Sequence, residues 1–370
     1  MTQVAAVKRA AEADLGISID AITLDGAAAQ RRGAMEPRSF DVYDQWFHDL
    51  DLVWPTGSLQ PMEISRLYRW DEINALPKTG RLGPEMHRAA GGNPSQHLYV
   101  QLDGRLGATP TSQLSMLPTV HNADGFAVVG DDKATSWSAL LDPARAGRVI
   151  LQSDPAIGAF DFLLALQAKE EMWPADIAEL TLEEVNELIG HLARYHDNGQ
   201  FHTVWNDEAE AIEAMQNGEP MIGSLWWTSA IRLRAAGVPV RMISPDEGMR
   251  GWFGGLSLSA YSSGRVCDMA YDYINWWLDG GPGGILSRNG AYLANHTAVR
   301  AQLTPAEWDF WYGGKPACVP ICDAEGREVY AAGEYREGGS YRERMGQVVV
   351  WNSVITEHNY LLRRWEDALS

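Results

Sequence analysis

Residues 221–255 read MIGSLWWTSAIRLRAAGVPVRMISPDEGMRGWFGG, and the punctuation of this stretch decides the fold. A short apolar run ends at "SLWW", "AIRLRAAG" has helical spacing and stops at a glycine, and "VPVRMI" is extended again. The same unit recurs upstream. "RVILQSD" reads as a strand followed by the helix "AIGAFDFLLALQAKEEM", and "TLEEVNELIGHLARYHDNG" is a helix with a capping box at Thr181 and Glu184 and a stop near Gly199. Helix and strand signals that alternate in this way predict an α/β architecture with mostly parallel sheets.

Further out, "QVAAVKRAAEADLG" is an amphipathic helix closed by Gly16, and "ISIDAITLD" alternates in strand fashion after it. "FDVYDQW" is a short strand from Phe40 with a polar and aromatic end at Asp44, Gln45 and Trp46, the kind of strand end at which open α/β sheets hold ligands. Residues 80–113 read mostly as loop. "LSMLPTVHNADGFAVV" gives two extended apolar pieces interrupted by "PTVHNADG", which predicts a chain passing from one lobe to another. After "GWFGGLSLSAYSS" comes the helix "VCDMAYDYINWWLDG", apolar on nearly every side, and the Trp- and Tyr-rich tail ends in a helix.

A chain of 370 residues is long enough for two lobes, and its 45% hydrophobic and 21% charged residues are those of a globular protein. The formal charge of −19 argues against nucleic acid and anionic lipid as partners. No run approaches the roughly 18 apolar residues that span a bilayer. Cys318 and Cys322, in "ACVPIC", could form a close disulfide, but with Cys267 they do not make up the four ligands of a structural zinc site, so no metal and no cofactor is expected.

Motifs for nucleophilic, phosphate-binding, dinucleotide-binding and zinc chemistry are absent from the sequence. His191 and His196 stand five apart, a spacing that does not align two ligands on a helix face. With 49 acidic residues a carboxylate pair for glycoside hydrolysis stays open, and 15 tryptophans would suit sugar stacking, so a carbohydrate-active hydrolase is the alternative reading. Trp276 and Trp277 lie within a helix and read as core. Trp226 and Trp252 instead follow short strands among Gly, Ser and Thr, where flat rings can cover an apolar ligand body or hold a cation.

The segments "DPARAGRV", "PDEGMRGW", "AYDYINWWL" and "GAYLAN", in that order, resemble family 1 extracellular solute-binding proteins of ABC transporters, nearest the spermidine/putrescine-binding branch. The likeness is specific over residues 137–296. It implies a periplasmic-binding-protein-like fold of two α/β lobes with a hinge and an interlobe ligand cleft, lobe 1 being 1–121 plus 251–305, lobe 2 being 122–250, and 306–370 a C-terminal segment packing on them. It further implies a periplasmic, monomeric protein without enzymatic activity, which captures a small-molecule ligand and delivers it to the membrane permease of an ABC importer. Carried over residue by residue, the cleft contacts fall on Trp226, Trp252, Tyr292 and Asp154, and near Gln45 and Trp46. Arg250 stands beside them as a partner for an anionic group, and Asn122, with His121 in the crossing segment, either faces the ligand or satisfies backbone groups.

Two departures are visible. The acid that polyamine binders place two residues after the Trp matching Trp252 is Gly254 here, and "PAIGAF" lacks the second acid expected after Asp154. The ligand expected is therefore an amine, a quaternary ammonium compound or a zwitterion. The family's leader and first strand would precede "AAVKRAAEADLGISID", and neither is in this sequence.

Overall fold

A computed structural model describes residues 5–84, 88–91, 94–217, 219 and 221–370. Gln3 and Val4 of the first helix expected from the sequence, residues 85–87, 92 and 93 of the stretch read as loop, and Gly218 and Pro220 lie outside the described residues. The chain forms two compact units. The first takes 1–88, 92–122 and 252–311, the second 89–91, 123–251 and 312–370. The chain thus passes between them at 88/89, 91/92, 122/123, 251/252 and 311/312. The two crossing strands, Leu117–Asp124 and Met249–Ser259, make the crossings at Asn122/Ala123 and Gly251/Trp252, and the tail set apart in the sequence reading from residue 306 belongs, from Tyr312 onward, to the second unit.

In the first unit, the strand Val42–Trp46 lies antiparallel to Met249–Ser259, with Val42 opposite Leu258 and Trp46 opposite Gly254. The strand Leu117–Asp124 follows in the sheet, and Tyr292–Leu293 pairs antiparallel with it. Gly255 permits this closeness, because a Cβ there would stand 2.5 Å from the carbonyl oxygen of Leu117. The helix Gly264–Leu278 buries Trp276 and Trp277 as expected, and Trp276 Nε1 donates to Asp14 at 2.8 Å, tying down the first helix. That helix is not apolar all round, since Arg265, Asp268 and Asp272 hold an exposed side.

The second unit has a five-stranded sheet in the order Phe201–Trp205, Val149–Gln152, Ile222–Gly223, Ala127–Val129, Val240–Met242. The first three strands are parallel, Ala127–Val129 runs against them, and Val240–Met242, antiparallel to Ala127–Val129, runs with the first three. Its core gathers Phe126, Trp137, Leu163, Leu188 and Val149 with Leu361 and Trp365 of the terminal helix His358–Leu369. The capping box at Thr181 and Glu184 is formed.

In the second unit four of the five strands run the same way, as predicted, whereas in the first unit Val42–Trp46 and Tyr292–Leu293 pair antiparallel with the crossing strands. Two local readings also change. "ISIDAITLD" alternates but is unpaired backbone; period two makes a strand only where a neighbouring strand accepts the hydrogen bonds. "PTVHNAD", taken for an interruption, is the buried strand Leu117–Asp124 itself. Its polar residues are tolerated because they find partners: Asn122 Nδ2 donates to the carbonyl of Gly290 at 3.0 Å.

Two buried polar groups carry large energies. Arg250, 2% exposed, donates from Nε to Asp161 at 2.7 Å and from Nη1 to Asn352 at 2.8 Å, while the second oxygen of Asp161 accepts from Ser224 at 2.6 Å. Burial alone would lower the guanidinium's pKa, but the charges of Asp161, Asp124 and Asp154 outweigh it and raise it. In the first unit His121 stacks on Phe253 at 4.6 Å, and His296 lies 6.3 Å beyond. Burial holds His121 well below the usual histidine range, helped by the neighbouring His296, and lowers His296 to about 4.

Arg250→Met should destabilise the protein by about 3–5 kcal/mol in urea melts, because it strands the Asp161 carboxylate in the core. His296 is neutral when folded and binds a proton near pH 6.5 when unfolded. Its contribution is therefore complete above pH 6.5 and is lost as pH falls toward 4, ~3 kcal/mol in all. The stability difference between pH 7.5 and pH 4.5 should shrink in His296→Asn; an unchanged difference would refute the assignment.

Candidate functional site

Side chains alternate across a strand, so Asp44 and Trp46 share one face of Val42–Trp46 while Tyr43 and Gln45 take the other. Trp46 stands opposite Gly254, and Trp252, two residues along on that same face, meets it edge to face with ring centroids 4.9 Å apart. Trp252 is half-buried and Trp46 buried, so one ring is presented and the other supports it. Asp44 sits beside them, and its charge, after burial itself, helps push the phenol of Tyr273 up to about 12. The first unit thus groups a carboxylate with two indoles.

The pleat separates the other predicted residues from this group. Gln45 is turned to the opposite face, where it donates to the carbonyl of Gly26 at 3.2 Å and accepts from the amide of Trp46. Tyr292 pairs with His121, whose ring stacks on Phe253, so Tyr292 belongs to the face opposite Trp252 and is fully buried. Asn122 is buried with its amide on Gly290, which matches a role in satisfying backbone groups.

In the second unit the carboxyl ends of the three parallel strands come together. Trp205 ends one strand, Asp154 follows the end of the next by two residues, and Trp226 follows Gly223 of the third. Ser153 N–H donates to the carbonyl of Trp205 at 2.9 Å, which holds the first two strand ends side by side. Trp205 is buried with Nε1 donating to the carbonyl of Ser224 at 3.2 Å, and half-buried Trp226 meets it edge to face at 5.1 Å. Two glycines make the crowding feasible: a Cβ on Gly158 would stand 1.8 Å from the carbonyl oxygen of Gln152, and one on Gly223 1.9 Å from that of Ile150.

Asp154 opens the turn into the helix Gly158–Ala168, its Oδ1 accepting from Ala156 N–H at 2.9 Å. It keeps a partly exposed edge, yet desolvation raises its pKa against the opposing pull of that N–H and of Arg250. Arg250 itself is committed to Asp161 and Asn352. These bonds take up two of its five N–H groups, so a ligand anion would compete with them.

The structure brings together Trp46 with Trp252 in one unit and Asp154 with Trp226 in the other. Sequence reasoning placed Asp44 at the strand end with Gln45 and Trp46 but carried no ligand contact onto it, and it passed over Trp205. Asp44 was detectable as the residue two before Trp46 on an extended segment. Trp205 was detectable as the last apolar residue of "FHTVW" before "NDEAE", whose Asp207 caps the next helix. Cys318 and Cys322 are free thiols. Among the described residues no helix is long and apolar enough to cross a membrane, and no group of three or more His, Cys, Asp or Glu side chains is arranged to hold a metal ion.

The sequence is similar to the spermidine/putrescine-binding periplasmic proteins of Escherichia coli and Shigella flexneri, 26% identical over 195 residues in each case. The match takes in 51% of this chain and 52% of each relative, so the chain spans about half the length of the curated relatives it matches. The fold is similar to a putative spermidine/putrescine ABC transporter structure from Listeria monocytogenes, with TM-score 0.63 and 11% identity over 99% of this chain and 95% of that one. It is also similar to the periplasmic binding protein MotA from A. tumefaciens in complex with glucopine, with TM-score 0.62 and 13% identity over 97% and 93%. These neighbours bear out the two-lobed α/β binding-protein architecture expected from the sequence. The family model described as bacterial extracellular solute-binding protein matches residues 68–280, more than half of the sequence, and the chain belongs to that family.

Proposed function

We propose that this protein is the solute-capturing component of an ABC importer, that it acts outside the cytoplasmic membrane without catalysing a reaction, and that its ligand is a small organic cation. The observation that carries the ligand class is the repeated grouping of a half-buried indole, a supporting indole and a carboxylate: Trp252, Trp46 and Asp44 in the first unit, Trp226, Trp205 and Asp154 in the second. An indole face attracts a cation by about 0.5–2 kcal/mol, most where water is excluded, and a nearby carboxylate supplies the full countercharge.

Each unit carries one such carboxylate. In the first unit the carboxylate is Asp44, on the same sheet face as Gly254, which holds no acid. With Arg250 engaged by Asp161, amines and quaternary ammonium compounds are favoured over zwitterions. The curated relatives are spermidine/putrescine-binding proteins by name, which agrees with this class.

A thermal-shift screen over choline, betaines, amino acids, putrescine and spermidine tests the class. A cationic hit at about a hundred times its Kd should stabilise the fold by about 2.7 kcal/mol. Trp252→Ala and Trp226→Ala should each weaken that response at least tenfold while still melting cooperatively. Stabilisation by amino acids or sugars but by no amine would overturn the ligand class. Turnover of aryl glycosides that disappears on removal of one acid would overturn binding without catalysis.

A further inference from the structure

The tail beyond residue 311 carries none of the aromatic and acidic groups just described, yet its stretch Ser340–Asn352 touches the residue at which one crossing strand enters the second unit, Ala123, and the residue at which the other leaves it, Gly251. The helix Tyr341–Gly346 opens with a capping box between Ser340 and Glu343 and presents Arg344, which is 1% exposed. The Arg344 guanidinium donates from Nη2 to the carbonyl of Ala123 and from Nη1 to the carbonyl of Glu337. Its carbon centre lies 4.7 Å over the ring of Trp227. Ala123 is the first residue of the second unit after the first crossing, and Trp227 opens the helix that Trp226 caps.

The strand Val348–Trp351 then runs parallel to the second crossing strand, with Val348, Val350 and Trp351 opposite Met249, Arg250 and Gly251. Asn352 N–H donates to the carbonyl of Gly251, the last residue before the second crossing, at 2.9 Å. Asn352 Oδ1 accepts from Arg250 at 2.8 Å. There is no slack in this pairing, since a Cβ on Gly251 would stand 2.7 Å from the Trp351 ring and 2.8 Å from Val348.

We infer that Arg344 and Asn352 are positioning residues: one short stretch of the tail fixes the backbone of both crossing strands and, through Trp227, the helix that presents Trp226. The planar guanidinium is what the arrangement requires. It bonds two carbonyls through two different nitrogens while its face lies on an indole, and a lysine ammonium reproduces only the charge. The inference concerns how the second unit holds its own strands, and it stands whatever the ligand proves to be.

Amide hydrogen exchange on the ligand-free full chain tests it. Arg344→Lys should exchange at least tenfold faster at residues 123–125 and 227–229, and Asn352→Ala at least tenfold faster at 249–251 but not at 123–125. Exchange in the strand Val149–Gln152 and the helix Leu182–Asp197 should match wild type in both. Unchanged exchange at the crossing residues, or an acceleration spread evenly over the second unit, overturns the inference. If Arg344→Lys does not fold, Asn352→Ala decides by the same criteria: acceleration confined to 249–251 supports it, and unchanged or uniform exchange overturns it.

Discussion

The ion pair between Arg250 and Asp161 is the constraint on which the second unit is built. Both side chains are at most 3% exposed, and a guanidinium withdrawn from water is tolerated only when its hydrogens are taken up by well-placed acceptors. Asp161 on the helix Gly158–Ala168, Ser224 behind the central strand, and Asn352 in the tail must all arrive for that to happen. One buried charge thereby fixes a helix, a parallel strand and the tail against the strand that leads to Trp252. Two of the five N–H groups of Arg250 are thereby spent on holding the frame.

Around that frame, each unit arrives at the same chemical grouping by a different geometry. In the second unit the three parallel strands end together, so residues that follow different strands, Asp154, Trp205 and Trp226, meet without being near in sequence. Glycines at 158 and 223 permit the meeting, because any Cβ would collide with a backbone carbonyl. In the first unit the grouping comes from the pleat of an antiparallel pair, in which Asp44 and Trp46 take the same side and Trp252 lies diagonally across the register. In both, an edge-on indole braces the half-buried one. A lone surface tryptophan would have rotamers to choose from, whereas a braced ring is already oriented for whatever rests on it.

The alternation of helices and strands, the capping box at Thr181, the terminal helix and the crossing near residue 122 were all legible, because each rests on local spacing or a local cap. Two strand assignments went wrong for the same physical reason. Local pattern reports which face of a segment is apolar, and says nothing of whether a neighbouring strand is present to pair with it. "ISIDAITLD" has the pattern and no neighbour, while "PTVHNAD" lacks the pattern and is a buried strand because Gly290 and Phe253 receive its polar and aromatic side chains. Of the site, the residues found were those conspicuous in type, the tryptophans at strand ends. The partner that holds Arg250, Asp161, was not legible because it is 89 residues away in the chain.

Gly254 shows how far a motif position can mislead when it is read without its sheet. Scored along one strand, the missing acid two residues after Trp252 argues against a ligand with two cationic ends. Scored across the register, Gly254 stands opposite Trp46, and the carboxylate on that face comes from the neighbouring strand, two residues before Trp46. A sheet face is furnished by adjacent strands together, so a charge deleted from one strand can be carried by the next without changing what the face offers a ligand.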